Sequence, residues 1–291
     1  MKVGVTANPR KPTALDLARR AVAHLGDRVE VVLSTEAREV APELPHVPLE
    51  ELRADVLVAI GGDGTFLYTL RRSELPLLPI NAGTLGVLAE SGARSAGEFE
   101  GALDRLVGGR YFLEERMKLA AEIDGTPVGD VTNEFLVHSA EVGKMATFEL
   151  GIDQHVIGRL RADGLIVATP TGSTAYSLSS LGPIVDPALE AIVLTAIAPF
   201  RVQARAVVVE PLHTLRLRAL EVGKGAVAIA DGQDEYPIAK EGEITLYRSP
   251  RRATLVRFGS HLFERLRGKG ILPWTEEPER EGGDADLPPR P

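Results

Sequence analysis

Hydrophobic and polar positions change their rhythm near residue 110. Before that point, apolar runs alternate with segments of helical period. A strand over residues 2–8 is followed by an amphipathic helix carrying Leu15, Ala18, Val22 and Leu25, then by strands over 29–33 and 55–60. This alternation predicts a parallel sheet with crossover helices. Leu75-Pro-Leu-Leu-Pro-Ile80 reads as one more short buried strand, restricted by proline at its start and end. A helix over 96–107 closes this part before Gly108-Gly109.

Beyond Arg110 the helical period largely disappears. Short alternating or β-branched runs succeed one another over residues 119–123, 135–138, 148–152, 165–168, 192–196, 206–209, 215–217, 226–230 and 244–247. Turn residues separate them at Asp124-Gly125, Gly223-Lys224-Gly225 and Glu241-Gly242. Many short strands between turns predict a β-sandwich. Residues 262–268 read as a short helix with basic residues in its last turn and a glycine stop. The expected organisation is an α/β domain over 1–112, completed by 251–274, a β-sandwich over 113–250, and a disordered acidic tail over 275–291.

Composition narrows the picture. At 291 residues, 44% hydrophobic and 25% charged, the chain is long enough for about two cores. Apolar runs fall short of the roughly 18 residues that suggest a membrane span. Met1-Lys-Val-Gly-Val-Thr reads as a first core strand rather than a signal peptide, so no membrane partner and a cytoplasmic location are expected. The cysteine count of zero excludes disulfides and thiolate chemistry. Half of the net charge of −8 belongs to the tail, where Glu276, Glu277, Glu279, Glu281, Asp284 and Asp286 face Arg280 and Arg290. No clustered Lys and Arg offers the phosphate-neutralising footprint of a nucleic-acid binder, so nucleic acid is not expected as a partner.

The candidate chemistry lies in glycine-rich turns. Gly61-Gly62-Asp63-Gly64-Thr65 follows the buried run 55–60 and supplies backbone N–H groups in front of a helix N-terminus, which suits phosphate oxygens. A plain strand-to-helix turn fits the same five residues. Asp63 tips the reading, because a carboxylate among phosphate-directed amides is unfavourable unless it has chemistry to do or a metal to meet. A general base for a hydroxyl nucleophile fits that place. The GxxxxGK(S/T) and GxGxxG spacings are absent, as are HExxH and GxSxG. The histidines, His24, His46, His138, His155, His213 and His261, are scattered and read as structural or surface groups.

The densest polar stretch is Asp163-Gly-Leu-Ile-Val-Ala-Thr-Pro-Thr-Gly-Ser-Thr-Ala-Tyr-Ser-Leu-Ser179. In the simpler reading Ser173 or Thr174 caps a helix. Capping does not account for so many small polar residues around Tyr176, which let backbone approach a ligand while a ring offers a stacking face. Taken alone, Asn133-Glu134 reads as a surface strand edge and Asp231-Gly232-Gln233 as a hairpin turn.

Taken together and in this order, the motifs resemble those of the ATP-NAD kinase family. The resemblance runs from Val3 to about Trp274. It rests on the Asp63 turn, Asn81-Ala-Gly-Thr-Leu-Gly86, Asn133-Glu134, the long motif ending at Ser179, Gly182-Pro-Ile-Val185 and Asp231-Gly-Gln233. Diacylglycerol and sphingosine kinases also carry GGDGT but lack the Thr-Pro-Thr-Gly-Ser-Thr-Ala-Tyr-Ser element. Three positions depart from the family pattern: Leu181 stands where glycine is usual, Val87 where phenylalanine is usual, and Tyr68 where several relatives have a basic residue.

The resemblance implies transfer of a phosphoryl group from ATP or polyphosphate, with Mg²⁺, to the 2'-hydroxyl of the adenosine ribose of NAD, giving NADP. It makes Asp63 the general base, with Gly61, Gly62, Gly64 and Thr65 facing the donor. Dinucleotide contacts carry over to Asn133, Glu134, Lys144, Arg161, Asp163, Thr174, Ala175, Tyr176, Ser177, Leu178, Ser179, Ala198 and Gln233. Asp163 would reach the dinucleotide across a subunit interface, in a homodimer or homotetramer. The implied fold is a Rossmann-like N-terminal domain with a C-terminal β-sandwich, the last helix returning to the first domain. A lipid or sugar kinase sharing only GGDGT, and a non-catalytic dinucleotide sensor, are the competing readings.

Overall fold

The computed structural model describes residues 1–83, 86–92, 95–201, 204–221, 223, 225–259, 262–268 and 270–272. The expected acidic tail lies outside them. Elements of the first part are β1 (Lys2–Ala7), α1 (Pro12–Leu25), β2 (Glu30–Ser34), β3 (His46–Val47), β4 (Val56–Gly61), α2 (Asp63–Arg72), β5 (Leu77–Asn81), β6 (Ser91–Gly92) and α3 (Ala96–Val107). Then follow β7 (Phe112–Ile123), β8 (Thr126–Val131), β9 (Glu134–Ser139), β10 (Ala146–Ile152), β11 (His155–Ala162) and β12 (Gly164–Ala168). After the single-turn helix α4 (Tyr176–Ser179) come β13 (Ile192–Ile197), β14 (Val207–Val209), β15 (Leu215–Glu221), β16 (Ala226–Ala230), β17 (Asp234–Ile238) and β18 (Glu243–Arg257). Residues 1–259 form one compact unit, and α5 (Leu262–Gly268), the expected short helix, belongs to a second.

In the first part, β5, β4, β1, β2 and β3 run side by side and parallel. Helices α1 and α3 pack on one face, against Val3, Val5, Val58 and Ile60, and α2 covers the other, against Leu57, Ala59 and Leu77. The side of α1 turned inward is lined by Ala14, Ala18, Ala21 and Leu25, while Leu15 and Val22 sit at the rim. Small residues take the closest approach to the sheet.

The strand-rich part is two stacked sheets. One carries β14-β13-β12-β9-β16-β17, and the other includes β11-β10-β15-β18 with β7 and β8. Their facing side chains, among them Leu119, Phe135, Phe148, Leu165, Ile192, Leu217 and Leu246, form a single apolar interior. This is the sandwich expected from strand spacing. Three strands escaped that spacing, β8, β11 and β17. Both β8 and β17 contain a proline and lie at sheet edges, where a missing N–H costs no ladder bond. β11 has exposed residues along nearly its whole length, so its sequence shows no buried face.

The two parts share one sheet. The run expected to end at 247 continues to Arg257 as β18, and its far end pairs Leu255 with Leu77 of β5. Against β7, its register shifts between Arg248 and Arg252, so Ser249-Pro250-Arg251 forms an irregularity that carries the proline without ending the strand. Helix α2 is fastened to the sandwich as well. Lys118 of β7, only 2% exposed, donates from Nζ to the Leu70 carbonyl at 2.8 Å and pairs with Asp130 at 2.7 Å. Arg71 donates to the Ala230 carbonyl and to the Tyr236 hydroxyl and pairs with Asp234 at 3.0 Å.

Removing a partner from a buried ion pair is expensive because the remaining charge stays desolvated. Lys118→Met is therefore expected to lower stability by about 3 kcal/mol, Asp130 keeping Arg251 but losing its buried cation. Denaturant unfolding of the two proteins checks this.

Candidate active site

The sheet order sets where a ligand can enter. From β1 the chain moves to β2 on one side, and β4 later joins the other side of β1, so the loops leaving β1 and β4 diverge to opposite faces. A crevice opens at such a switch point, outside the carboxyl ends of the strands. Here it is a cavity of about 550 Å³ lined by Asn8, Pro9 and Arg10 after β1, Gly64, Thr65 and Tyr68 of α2, Glu36, and Asp231 to Asp234 from the β16–β17 turn.

Asp63 is the first residue of α2, behind the N-cap Gly62. The helix dipole favours a carboxylate in that turn. Its Oδ2 accepts from the Val87 N–H at 2.9 Å, while Oδ1 is buried with no hydrogen-bond partner among the described residues. Gly86 allows this approach, since a Cβ there would fall 1.8 Å from Asp63 Oδ1. The donor to Asp63 is backbone, so valine serves at position 87 as phenylalanine would. The loop is anchored from below. Arg257, 1% exposed, donates to the Leu88 carbonyl at 2.9 Å and pairs with Glu90 at 3.2 Å and with Glu114 at 2.6 Å.

The glycines of the turn differ in purpose. A Cβ on Gly61 would sit 2.4 Å from Thr65 Oγ1, so Gly61 is small for internal packing. Gly62 and Gly64 have open space at that position, which leaves their backbone free for a ligand. Asn8 donates to Thr65 Oγ1 at 3.3 Å, and Gln233 donates to the Gly64 carbonyl at 3.0 Å.

The Asp231 turn is more than a hairpin. The Asp231 carboxylate accepts from the N–H groups of Thr132, Asn133 and Glu134 at 3.0, 2.8 and 3.2 Å, and its own N–H donates to the Glu134 carbonyl. Its φ of 50° and that of Gly232, 66°, bend the chain tightly enough to return toward those amides. With Gln233 on Gly64, one turn braces both the Asp63 helix and the Asn133-Glu134 segment. Both of those side chains are buried, and Asn133 Oδ1 and Glu134 Oε2 have no hydrogen-bond partner among the described residues. Burial, and then the Asp231 carboxylate, push the Glu134 carboxyl up to about 8. Burial also lifts Asp231 to about 6 against the pull of its three amide bonds.

The long motif folds back onto Asn133. Thr169 N–H donates to the Asn133 carbonyl at 2.8 Å, and a Cβ on Gly172 would strike that same oxygen. The capping expected of Ser173 or Thr174 does not occur. Thr169 Oγ1 accepts from Gly172 N–H instead, while Ser173 Oγ donates to the Pro170 carbonyl and accepts from Val185 N–H. Ser177 is likewise turned inward, onto Thr195 Oγ1 at 2.9 Å. Thr174, Ala175 and Leu178 are half-buried, and Tyr176 and Ser179 exposed. Just beyond, Leu181 has φ 65°, a conformation glycine enters freely, and its side chain is 93% exposed.

Tyr176 joins Asp163 and Lys144 around a second cavity of about 360 Å³, with His138, Glu141 and Ile197 among its walls. Arg161 and Ala198 line neither cavity. Arg161 is exposed, its guanidinium 5.4 Å from the Phe200 ring centroid, and Ala198 is exposed with φ 44°. Residues that pattern reading missed at the larger cavity are Asn8, Arg10, Glu36 and Asp234. Asn8-Pro9-Arg10 had a usable signal, a polar turn directly after the first core strand.

The same chain matches known proteins over most of its length. Residues 3–111 match the model of the ATP-NAD kinase N-terminal domain and 132–258 that of the C-terminal domain. The NAD kinase of Methanothermobacter thermautotrophicus is 35% identical over 277 residues, covering 93% of this chain and 96% of that protein. The NAD kinase of Thermococcus kodakarensis is 37% identical over 270 residues, 90% and 96% of the two chains. An NAD kinase from Archaeoglobus fulgidus, solved in complex with ATP, superposes with TM-score 0.73 at 30% identity, covering 92% of this chain and 98% of the other. Yeast NADH kinase complexed with NADH shares the fold, with TM-score 0.84 at 22% identity over 96% and 90%. A sheet switch point carrying GGDGT, joined to a sandwich by a shared strand and matched by both domain models, leaves one assignment: the chain belongs to the ATP-NAD kinase family.

Proposed function

We propose that the protein is an NAD kinase that moves the terminal phosphoryl group of ATP to the 2'-hydroxyl of the adenosine ribose of NAD. The observation that carries this reading is Asp63 Oδ1, buried and unpartnered among the described residues at the head of α2, beside backbone left open at Gly62 and Gly64. In this reading Asp63 takes the proton from the 2'-hydroxyl as the oxygen attacks. The amides of the turn face the donor phosphates, whose charge the α2 N-terminus and Arg10 offset. Asn133, Glu134 and residues 174–179 surround the adenosine. Lys144 and Asp163, beside a separate cavity, complete the site of a second copy in a homodimer or homotetramer. The cytoplasm is the proposed location.

Among the described residues no group of three or more His, Asp or Glu could hold a metal ion. Mg²⁺ fits this site as an ion carried in by the donor, since it keeps its waters and binds mainly through phosphates with one or two carboxylates. When bound it neutralises charge on the transferring group.

Phosphoryl transfer depends on positioning and on a base of the right reach. Asp63→Asn is expected to cut NADP formation by about 10³-fold, with NAD affinity by calorimetry kept within a few-fold. Retained turnover would remove Asp63 from this role.

Glu134 adds a pH dependence. With its carboxyl raised from the ordinary 4.5 to about 8, it is protonated at neutral pH and offers an O–H to the nucleotide. NAD affinity is therefore expected to hold below pH 8 and to weaken above it, and Glu134→Gln, a donor at every pH, to flatten the profile. The stability effect has the same sign. The raised group favours the fold below pH 4.5, and that contribution is lost as pH climbs through 8. Titration calorimetry from pH 6 to 9.5 checks the binding limb, and loss of affinity on lowering the pH would refute it.

A further inference from the structure

The larger cavity contains a carboxylate that phosphoryl transfer itself does not use. Glu36 lies in the 3-10 turn Thr35–Ala37, directly after β2. This turn is pinned on both sides. Ser34, fully buried, donates from its hydroxyl to Thr6 Oγ1 at 2.7 Å, and Ala37 is fully buried. Between these anchors Glu36 lines the cavity. The carboxyl end of the strand beside β1 is also the place from which Rossmann-like sheets reach a ribose diol with an acidic side chain.

Glu36 is held ready. Tyr68 donates from its hydroxyl to Glu36 Oε1 at 3.2 Å, and the Arg72 guanidinium lies 3.8 Å from the Tyr68 ring centroid. Glu36 Oε2 is buried and has no hydrogen-bond partner among the described residues. Tyr68 is one helical turn along α2 from Gly64 and Thr65, so the Glu36–Tyr68 pair stands beside the phosphate-facing backbone. The cavity of about 550 Å³ is in the range that takes a nucleotide-sized ligand.

Charge separates the two kinds of donor. Among the cavity walls Arg10 is the cation, and Glu36, Asp231 and Asp234 are the carboxyl groups. A polyphosphate chain extended past the turn would lay anionic oxygens against Glu36. A nucleoside triphosphate instead sets phosphates at the turn and an uncharged diol at the carboxylate.

We propose that Glu36, braced by Tyr68, accepts hydrogen bonds from the ribose hydroxyls of a nucleoside triphosphate, and thereby selects that donor over inorganic polyphosphate. The proposal rests on the kinase reading above. Losing hydroxyl bonds to a carboxylate weakens binding on the order of tenfold or more.

The test measures KM for ATP, for 2',3'-dideoxy-ATP and for tripolyphosphate, with NAD and Mg²⁺, in the wild type, Glu36→Gln, Glu36→Ala and Tyr68→Phe. The wild type is expected to hold ATP at least about tenfold more tightly than the dideoxy nucleotide. Glu36→Ala is expected to erase that gap by raising KM for ATP alone, and to lower KM for tripolyphosphate because a negative charge has gone. Glu36→Gln is expected to narrow the gap, and Tyr68→Phe to narrow it less. Equal KM for the two nucleotides in the wild type would overturn the proposal. So would a gap that survives Glu36→Ala, or a parallel rise for all three donors. If no donor yields NADP, the kinase reading falls instead, and calorimetric titration with ATP and dideoxy-ATP decides the role of Glu36 by itself.

Discussion

One carboxylate has to stand among groups arranged for anions, and much of the molecule serves to keep it there. Asp63 tolerates its position because a helix N-terminus and the Val87 amide favour its charge, while Gly86 lets the loop lie against it. Leu88 and Glu90, beyond Val87, are held by Arg257, whose guanidinium is buried against Glu90 and Glu114 at the far end of β18. The helix behind Asp63 is tied at its other end by Lys118 and Arg71. The three cations that make these ties, Arg71, Lys118 and Arg257, come from distant parts of the sequence. Together they let Asp63 Oδ1 remain buried with no hydrogen-bond partner among the described residues.

The shared sheet explains how two layers of different construction can hold one site. β18 pairs with β15 and β7 in the sandwich and with β5 in the parallel sheet, and residues 1–259 accordingly cluster as one unit. The Asp231 turn then acts across the junction. It grips the amides of 132–134 with a carboxylate and the Gly64 carbonyl with Gln233. Asn133-Glu134 and the Asp63 helix are thus positioned by the same three residues, and preorganisation of this kind is what catalysis by positioning requires.

Much of this was legible in the sequence. Period and turn residues were enough for the βα alternation, the sandwich, α3 over 96–107 and α5, because those segments bury one regular face. The edge strands β8, β11 and β17 were not, since edges bear proline and exposed polar residues that break the pattern. β18 was cut short in the reading because Pro250 and its arginines interrupt the apolar alternation, while the pairing with β7 continues past the irregularity. At the site, Asp63 announced itself by charge among glycines. Asp231 and Glu36 did not, since their importance comes from partners about a hundred residues away in one case and from the sheet order in the other. The small hydroxyls of 169–179 have partners that their sequence does not reveal. Thr169, Ser173 and Ser177 are spent on the protein's own backbone and side chains, so their density measures a tight internal turn as much as a binding surface.

The geometry of Asp63 can be examined directly in a crystal structure of the protein with NAD and a non-hydrolysable ATP analogue. The expected result places the 2'-oxygen of the adenosine ribose about 2.6–3.2 Å from Asp63 Oδ1, with the terminal phosphorus on the other side of that oxygen. A 2'-oxygen turned away from Asp63, with the carboxylate still held only by Val87, would contradict its role as the base.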